Sequence, residues 1–74
     1  MSHRQRLDRQ REFERELEFA LEYYRAGEMA KRKERPTFDD KSAVITANRV
    51  VSWFEDKYEV EWESVLAALR GRAI

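Results

Sequence analysis

Glycine and proline are very rare in this chain, and that scarcity constrains its fold more than any other feature. Gly27, Pro36 and Gly71 are the only such residues among 74. The remaining positions are rich in Arg, Glu, Leu and Ala, which favour helices, so the chain is expected to be mostly helical. A chain of this length forms one domain that buries only about 60% of the surface of its unfolded form. The sequence therefore predicts a single all-α domain over residues 1–74, without the deep cleft of a large enzyme.

The first helix is predicted from about Arg4 to Ala26. Its apolar residues fall within an arc of roughly 140° at 100° per residue, as expected for a face turned towards a core. They are Leu7, Phe13, Leu17, Ala20, Leu21 and Tyr24. Because Gly27 is a typical C-terminal cap, a break or kink there is favoured over a helix that continues to Pro36. Residues 1–12 contribute only Leu7 to this face, so they are expected to project or fray, and residues 13–35 form the body and basic end of the helix.

The second helix is predicted over residues 41–58, after a loop at residues 36–40. Asp39 or Asp40 is expected to cap its start, because a carboxylate there accepts hydrogen bonds from free amides and suits the helix dipole. With Asp39 as the cap, Phe38 and Ala43 occupy the positions of a hydrophobic staple. The apolar residues of this segment keep a helical spacing: Ala43, Val44, Ala47, Val50, Val51, Phe54 and Tyr58.

The third helix is predicted over residues 61–70, with Gly71 just past its end. It is expected to bury Trp62, Val65, Leu66 and Leu69. Residues 58–61 are interpreted as a tight connection anchored by Val60. A short strand is the alternative there, because apolar residues alternate with glutamates, but a single strand has nothing to pair with. The predicted architecture is a long N-terminal helix followed by a helical hairpin, a three-helix bundle with a homodimer through helix 1 as an open option.

Side chains that carry out catalysis are scarce. The chain has no Cys and a single His, His3, and it contains no Gly-rich phosphate loop or nucleophile elbow. Asp39 and Asp40 are more typical of a helix cap than of a metal site. The acidic residues between Glu55 and Glu63 lack the ligand pattern of a calcium loop and are interpreted as a solvated face. We therefore expect no enzymatic activity, no catalytic residue, no metal and no cofactor.

Two basic clusters raise a nucleic-acid-binding alternative. The first comprises Arg4, Arg6, Arg9 and Arg11, and the second comprises Lys31, Arg32, Lys33 and Arg35. Both would contact phosphates electrostatically. Acidic residues are interleaved with the N-terminal arginines, however, and the whole chain carries 15 basic against 15 acidic residues. A third helix that begins Glu61-Trp62-Glu63 would also place carboxylates against phosphate if it entered a groove of DNA, which argues against that mode of binding.

Each of the first two helices carries a second apolar stripe. On helix 1 the stripe is Phe19, Tyr23, Ala26 and Ala30, and on helix 2 it is Ile45, Arg49 and Trp53. A helix in a three-helix domain needs only one buried stripe, so the second one either enlarges the core or meets a partner. Trp, Tyr and Arg are the residue types that dominate binding hot spots. The candidate partner-binding residues are therefore Phe19, Tyr23, Ile45, Arg49 and Trp53.

These features favour a non-enzymatic protein–protein interaction module, an inhibitor, adaptor or regulator that occupies a surface of a larger protein. A nucleic-acid-binding accessory protein is the first alternative and a structural homo-oligomer the second, since small bundles often gain stability by self-association. Such short chains are common among phage and mobile-element products, which is an expectation from size alone. No apolar run of membrane-spanning length and no signal peptide are apparent, so a cytoplasmic location without membrane binding is expected.

Overall fold

The protein consists of three helices joined by short connections. A computed structural model describes the backbone of residues 3–72 and the side chains of residues 8–71. Helix α1 spans His3–Lys31, α2 spans Phe38–Tyr58 and α3 spans Trp62–Arg72. No strand occurs in this part of the chain. The predicted all-α class, with a long first helix followed by two shorter ones, is confirmed.

Helix α1 is longer than predicted because it continues through Gly27. The predicted break is wrong, since α1 ends only at Lys31 and Gly27 lacks the positive φ of a C-terminal cap. Gly27 is instead buried where α1 crosses α2. A Cβ atom at this position would lie 2.5 Å from the Cβ atom of Ala47 and 3.4 Å from the carbonyl oxygen of Ala43. Glycine is therefore needed here for the close approach of two helices, not for the end of one.

Helix α2 begins three residues earlier than predicted because Thr37 is its N-cap. The Thr37 hydroxyl accepts a hydrogen bond from the Asp40 amide at 3.2 Å, and the Asp40 carboxylate accepts one from the Thr37 amide at 2.8 Å. This reciprocal pair is a capping box. Asp39 is therefore not the cap, and the predicted staple between Phe38 and Ala43 is wrong. Phe38 lies in the first turn of the helix with 83% of its surface exposed.

The connection between α2 and α3 is tight, as predicted. Glu59 caps α2 in the left-handed conformation, with a φ of 53°. The next amide, that of Val60, donates to the Glu55 carbonyl at 3.2 Å, and the Val60 side chain packs against the core. Glu55 also accepts a hydrogen bond from the Trp62 amide at 2.8 Å and so fixes the first residue of α3. The alternating pattern of this segment forms a turn and a helix start, not a strand.

The core lies where α3 packs on one face of the α1/α2 hairpin. Phe54 of α2 is fully buried, and its ring centroid lies 5.4 Å from that of Phe13 and 5.5 Å from that of Trp62. Trp62 also contacts Tyr24, with ring centroids 5.5 Å apart. The predicted stripe of α1 enters this core through Phe13, Leu17, Ala20, Leu21 and Tyr24. The side chain of Leu7, the remaining member of that stripe, lies outside the described residues.

The N-terminal part of α1 is helical from His3 onward. The side chains of residues 8–11 are exposed, and from Glu12 onward the helix is joined to α2 by a hydrogen bond from Lys57. Within the segment that was expected to project or fray, residues 8–11 therefore face solvent, whereas Glu12 is tied to α2. The other members of that segment, residues 1–7, have no described side chains.

Candidate protein-binding surface on the helical hairpin

Three aromatic rings form an exposed patch on the α1/α2 hairpin. Phe19 and Tyr23 stand one turn apart on α1, and their ring centroids are 4.9 Å apart. The hairpin brings Trp53 of α2 to 6.2 Å from Phe19 in an edge-to-face arrangement. These rings remain exposed over 46% of Phe19, 38% of Tyr23 and 40% of Trp53. We call these three residues the aromatic patch.

The patch is held in place from behind by the core. The Trp53 ring contacts the fully buried Phe54, with centroids 6.4 Å apart and an edge-to-face geometry. Edge-to-face pairs at such distances match the quadrupoles of the two rings and limit their rotation. Phe19 and Tyr23 project from the side of α1 away from Tyr24, which contacts α3. The patch is thus a surface that α3 does not cover.

An ionic cluster fixes the helices beside the patch. Lys57 of α2 donates to Glu16 at 2.6 Å and to Glu12 at 3.2 Å, both on α1. The Tyr58 hydroxyl donates to the other carboxylate oxygen of Glu16. The Lys57 ammonium also lies 5.6 Å from the centroid of the Trp53 ring, within the range of a cation–π interaction. The cluster therefore sets the register of α1 against α2 and the position of Trp53 together.

The contacts within this cluster shift the pKa values of its groups further from 7. The hydrogen bond from Lys57, helped by that from Tyr58, lowers the pKa of Glu16. The bond to Glu16 raises the pKa of Lys57 to about 12. Burial, followed by the contact with Glu16, raises the pKa of Tyr58 to about 12. Each group keeps one protonation state around pH 7, so the cluster is suited to bracing the helices and unsuited to proton transfer.

The other two candidate binding residues lie further along α2. Arg49 is exposed one turn before Trp53, on the side of the helix that carries the patch. Ile45 is 54% exposed and lies at the loop end of the hairpin, where it borders a groove of about 280 Å³ with Pro36 and Val44. The structure therefore brings Phe19, Tyr23 and Trp53 together, places Arg49 next to them and separates Ile45 from them.

Two exposed apolar side chains were missed by sequence reasoning, and one predicted stripe residue is not exposed. Met29 is 67% exposed, and Phe38 is exposed because it does not form the predicted staple. Ala30 is only 5% exposed, so the second stripe of α1 does not reach the surface along its whole length. Ala30 lies one turn beyond the close contact at Gly27, where α2 covers α1. The sequence spacing of the stripe does not indicate where α2 crosses α1.

The predicted basic clusters lie at opposite ends of α1. Arg9 and Arg11 are exposed near its start, whereas residues 31–35 are exposed at its end. Lys31 follows Arg9 by 22 helical positions, a distance of about 33 Å along the axis. Lys31 pairs with Glu28 at 3.1 Å and Lys33 pairs with Asp40 at 2.8 Å. Arg32 and Arg35 complete the second cluster, and the side chains of Arg4 and Arg6 lie outside the described residues.

Acidic residues collect around a groove that has a volume of about 470 Å³ and lies between the hairpin and the start of α3. Its carboxylates include Glu28, Glu55, Glu61 and Glu63. Glu55 is already bonded to the Trp62 amide and Glu28 to Lys31. Over residues 8–71, no three acidic, His or Cys side chains lie close enough together to hold a metal ion.

Comparison with known proteins identifies no relative of this chain. No protein-family model, curated protein or solved structure matches the chain. None of the helices, within the residues that the structure describes, has the length and apolar character needed to cross a membrane. Function therefore has to be inferred from the chemistry of the surface itself.

Proposed function

We propose that this protein is a non-enzymatic interaction module that binds an amphipathic helix of a larger protein through the aromatic patch, and so acts as an inhibitor, adaptor or regulator. The observation that carries the proposal is the patch itself. Three large rings from two helices stay 38–46% exposed beside a core that is already complete. Tyr and Trp are enriched among hot-spot residues, because each brings a large rigid surface at a low cost in conformational entropy.

The size of the patch suits a hot spot better than a whole interface. An aromatic side chain buries about 150–250 Å² when fully covered, so three rings that are about 40% exposed offer about 180–300 Å². At about 25 cal/mol per Å², covering them yields at most about 5–8 kcal/mol before the losses of association are subtracted. A stable complex buries about 800 Å² per partner, so polar residues around the patch have to take part as well.

The shape of the hairpin favours a helix as the partner element. On the opposite face, the hairpin accepts α3, which packs Trp62 and Leu66, one turn apart, against the core. A partner helix with apolar residues at the same spacing would pack against the aromatic patch by the same rule. Both faces of the hairpin would then be covered by helices.

Charge complementarity further defines that helix. Arg49 is exposed beside Trp53, and it forms no ion pair within residues 8–71. A partner carboxylate opposite Arg49 would form a bidentate pair at the rim of the interface. The proposed partner segment is therefore an amphipathic helix with a large apolar side chain over the patch and an Asp or Glu beside it.

The test is a comparative pull-down from nuclease-treated lysate, read by quantitative mass spectrometry. Wild type is compared with Trp53→Ala, with the charge reversal Arg49→Glu, and with Phe38→Ala as a matched control that removes an exposed ring outside the patch. We expect a protein whose recovery falls by about 30-fold with Trp53→Ala, falls with Arg49→Glu and is unchanged with Phe38→Ala. Cross-linking should then place a helical segment of that protein against α1 and α2.

Other outcomes of this experiment count against the proposal. Equal recovery by wild type and Trp53→Ala, with both proteins folded by circular dichroism, would mean that the patch is not the binding surface. Arg49→Glu guards against a trivial loss of folding, since an exposed substitution of this kind changes stability by only about 0.5 kcal/mol. A patch-dependent homodimer in sedimentation analysis would replace the partner helix with a second copy of the chain. Recovery that requires intact nucleic acid would favour the basic clusters.

A further inference from the structure

A second groove on the α3 side of the protein is lined by six residues, of which three are arginines. It has a volume of about 430 Å³ and lies between the C-terminal part of α1 and α3. Arg25 and Arg32 come from α1 and the turn that follows it, and Arg70 comes from α3. The remaining lining residues are Tyr24, Glu28 and Met29. Only Arg32 of the three arginines belongs to the basic clusters that the sequence singles out.

The positive charge in this groove is not neutralised by the protein. Within the described part of the chain, none of the three arginines forms an ion pair. Glu28 is the only carboxylate that lines the groove, and it is bonded to Lys31 at 3.1 Å. The chain carries as many acidic as basic residues, so this local excess is a matter of placement and not of composition. Three like charges around one groove repel each other, and a bound anion would offset that repulsion.

Helix dipoles account for only part of this arrangement. Arg32 follows the end of α1 and Arg70 lies in the last turn of α3, where a positive charge interacts favourably with the helix dipole. Arg25 lies inside α1, almost two turns before its end, and gains little from the dipole. The dipole also gives no reason for side chains from two different helices to meet at one groove. A shared anionic ligand gives such a reason.

The spacing of the residues fits a phosphate with an organic group attached. Arg25 and Met29 stand one turn apart on α1, and Arg32 in the turn after it lines the same groove. Arginine side chains are long enough to converge on one ligand in the groove, and the guanidinium fork binds phosphate oxygens in pairs. Tyr24 and Met29 add an apolar wall beside the charges. We propose that this groove binds a phosphate ester of about the size of a mononucleotide. The volume of the groove, about 430 Å³, lies within the usual range for small-ligand sites.

The proposal is tested on the whole protein by NMR titration and thermal shift with inorganic phosphate, adenosine monophosphate and adenosine. Phosphate and adenosine monophosphate should shift the side-chain resonances of Arg25, Arg32 and Arg70 saturably and raise the Tm, whereas adenosine should do neither. Equal affinities for the two anions would identify free phosphate as the ligand, and tighter binding of the nucleotide would identify the ester. Affinity should fall as salt concentration rises.

Matched variants separate a binding site from a general surface charge. Arg25→Gln and Arg70→Gln should each weaken binding by about tenfold and leave the Tm of the free protein unchanged or higher, because a repulsive charge is removed. Arg15→Gln is the control, since Arg15 is an exposed α1 arginine outside the groove. The proposal is overturned if neither anion causes saturable shifts at millimolar concentration, if adenosine binds as well as its phosphate, or if Arg15→Gln weakens binding as much as Arg25→Gln does.

Discussion

Replacement of Gly27 by alanine tests the crossing of α1 and α2, on which the rest of the fold depends. In an open helix interior this substitution raises stability by about 1 kcal/mol, because alanine is the better helix former. Here the new Cβ atom would lie 2.5 Å from the Cβ atom of Ala47. Carbon atoms in contact are normally about 3.5–4.0 Å apart, so the helices have to separate by about 1 Å.

The size of the expected loss in stability follows from the atoms that surround the new methyl group. Neither neighbour can turn away, since one is the side chain of an alanine and the other is the backbone oxygen of Ala43. The strain is therefore expected near the upper end of the usual range for overpacking, about 3 kcal/mol. After the gain in helix propensity is subtracted, Gly27→Ala should lower the free energy of unfolding by about 2 kcal/mol. For a domain of this size, that corresponds to a fall in Tm of about 8–16 °C.

Urea and thermal denaturation followed by far-ultraviolet circular dichroism measure this change. Gly71→Ala is the matched control, because a Cβ atom at that position would meet no atom of another helix within 4 Å among the described residues, and it should be neutral or slightly stabilising. The double variant Gly27→Ala/Ala47→Gly moves the methyl group across the interface and should regain most of the loss, with a coupling energy of about 3 kcal/mol, the strain that is relieved. A Gly27→Ala protein as stable as wild type would refute the close crossing.

Other consequences of the structure are open to equally direct measurement. Thr37→Ala removes one half of the capping box and should cost about 1 kcal/mol, read as a lower urea midpoint, with exposed Phe38→Ala as the control. The Tm should fall as the pH drops below 4.5, the ordinary pKa of Glu16, because a lowered folded-state pKa contributes stability only while the carboxylate is ionised. Glu16→Gln should make this fall in Tm at acidic pH less steep. At the alkaline end, the Tm should fall between pH 10 and about 12 as Tyr58 ionises and Lys57 loses its proton, because both pKa values are raised in the folded protein. Tyr58→Phe should make this fall less steep, and an unchanged profile would contradict the contact with Glu16.

Local sequence patterns were sufficient for much of the fold. The 3.6-residue spacing of Phe13, Leu17 and Tyr24 correctly identified the face of α1 that meets the core. Hydrophobic periodicity describes one helix at a time, and each helix here has one strongly apolar face. The tight connection before α3 was also predictable, because Val60 is an isolated apolar residue between glutamates.

Features that depend on distant residues were not predictable in this way. Gly27 has the local properties of a helix cap, but its role is decided by Ala47, which is distant in sequence and adjacent in space. The predicted start of α2 was wrong for a different reason. Thr37 and Asp40 form reciprocal hydrogen bonds, so the helix begins directly after Thr37 and includes Phe38. The predicted cap at Asp39 would instead have left Phe38 outside the helix.

The sequence predicted which residues of the candidate surface lie together only in part. Phe19, Tyr23 and Trp53 were chosen from their spacing, but spacing alone does not say whether such a stripe is buried. Ala30 shows why, because it belongs to the same stripe of α1 as Phe19 and is nevertheless buried against α2. The arginine groove was not foreseen, since Arg25 and Arg70 stand far apart in sequence and in neither basic cluster. Only the packing of α3 brings them together.

The contrast between the two tryptophans explains why one face of the hairpin is left open. Trp62 is 4% exposed and Trp53 is 40% exposed, although both stand on helices with apolar neighbours. Helix α3 follows the short connection from Glu59 to Glu61 and packs on the face that carries Tyr24 and Phe54. Once α3 has buried Trp62 there, no helix remains within residues 8–71 to cover Trp53. A partner that covers the aromatic patch would therefore come from outside these residues, and the variants at Trp53 and Arg49 test whether one binds there.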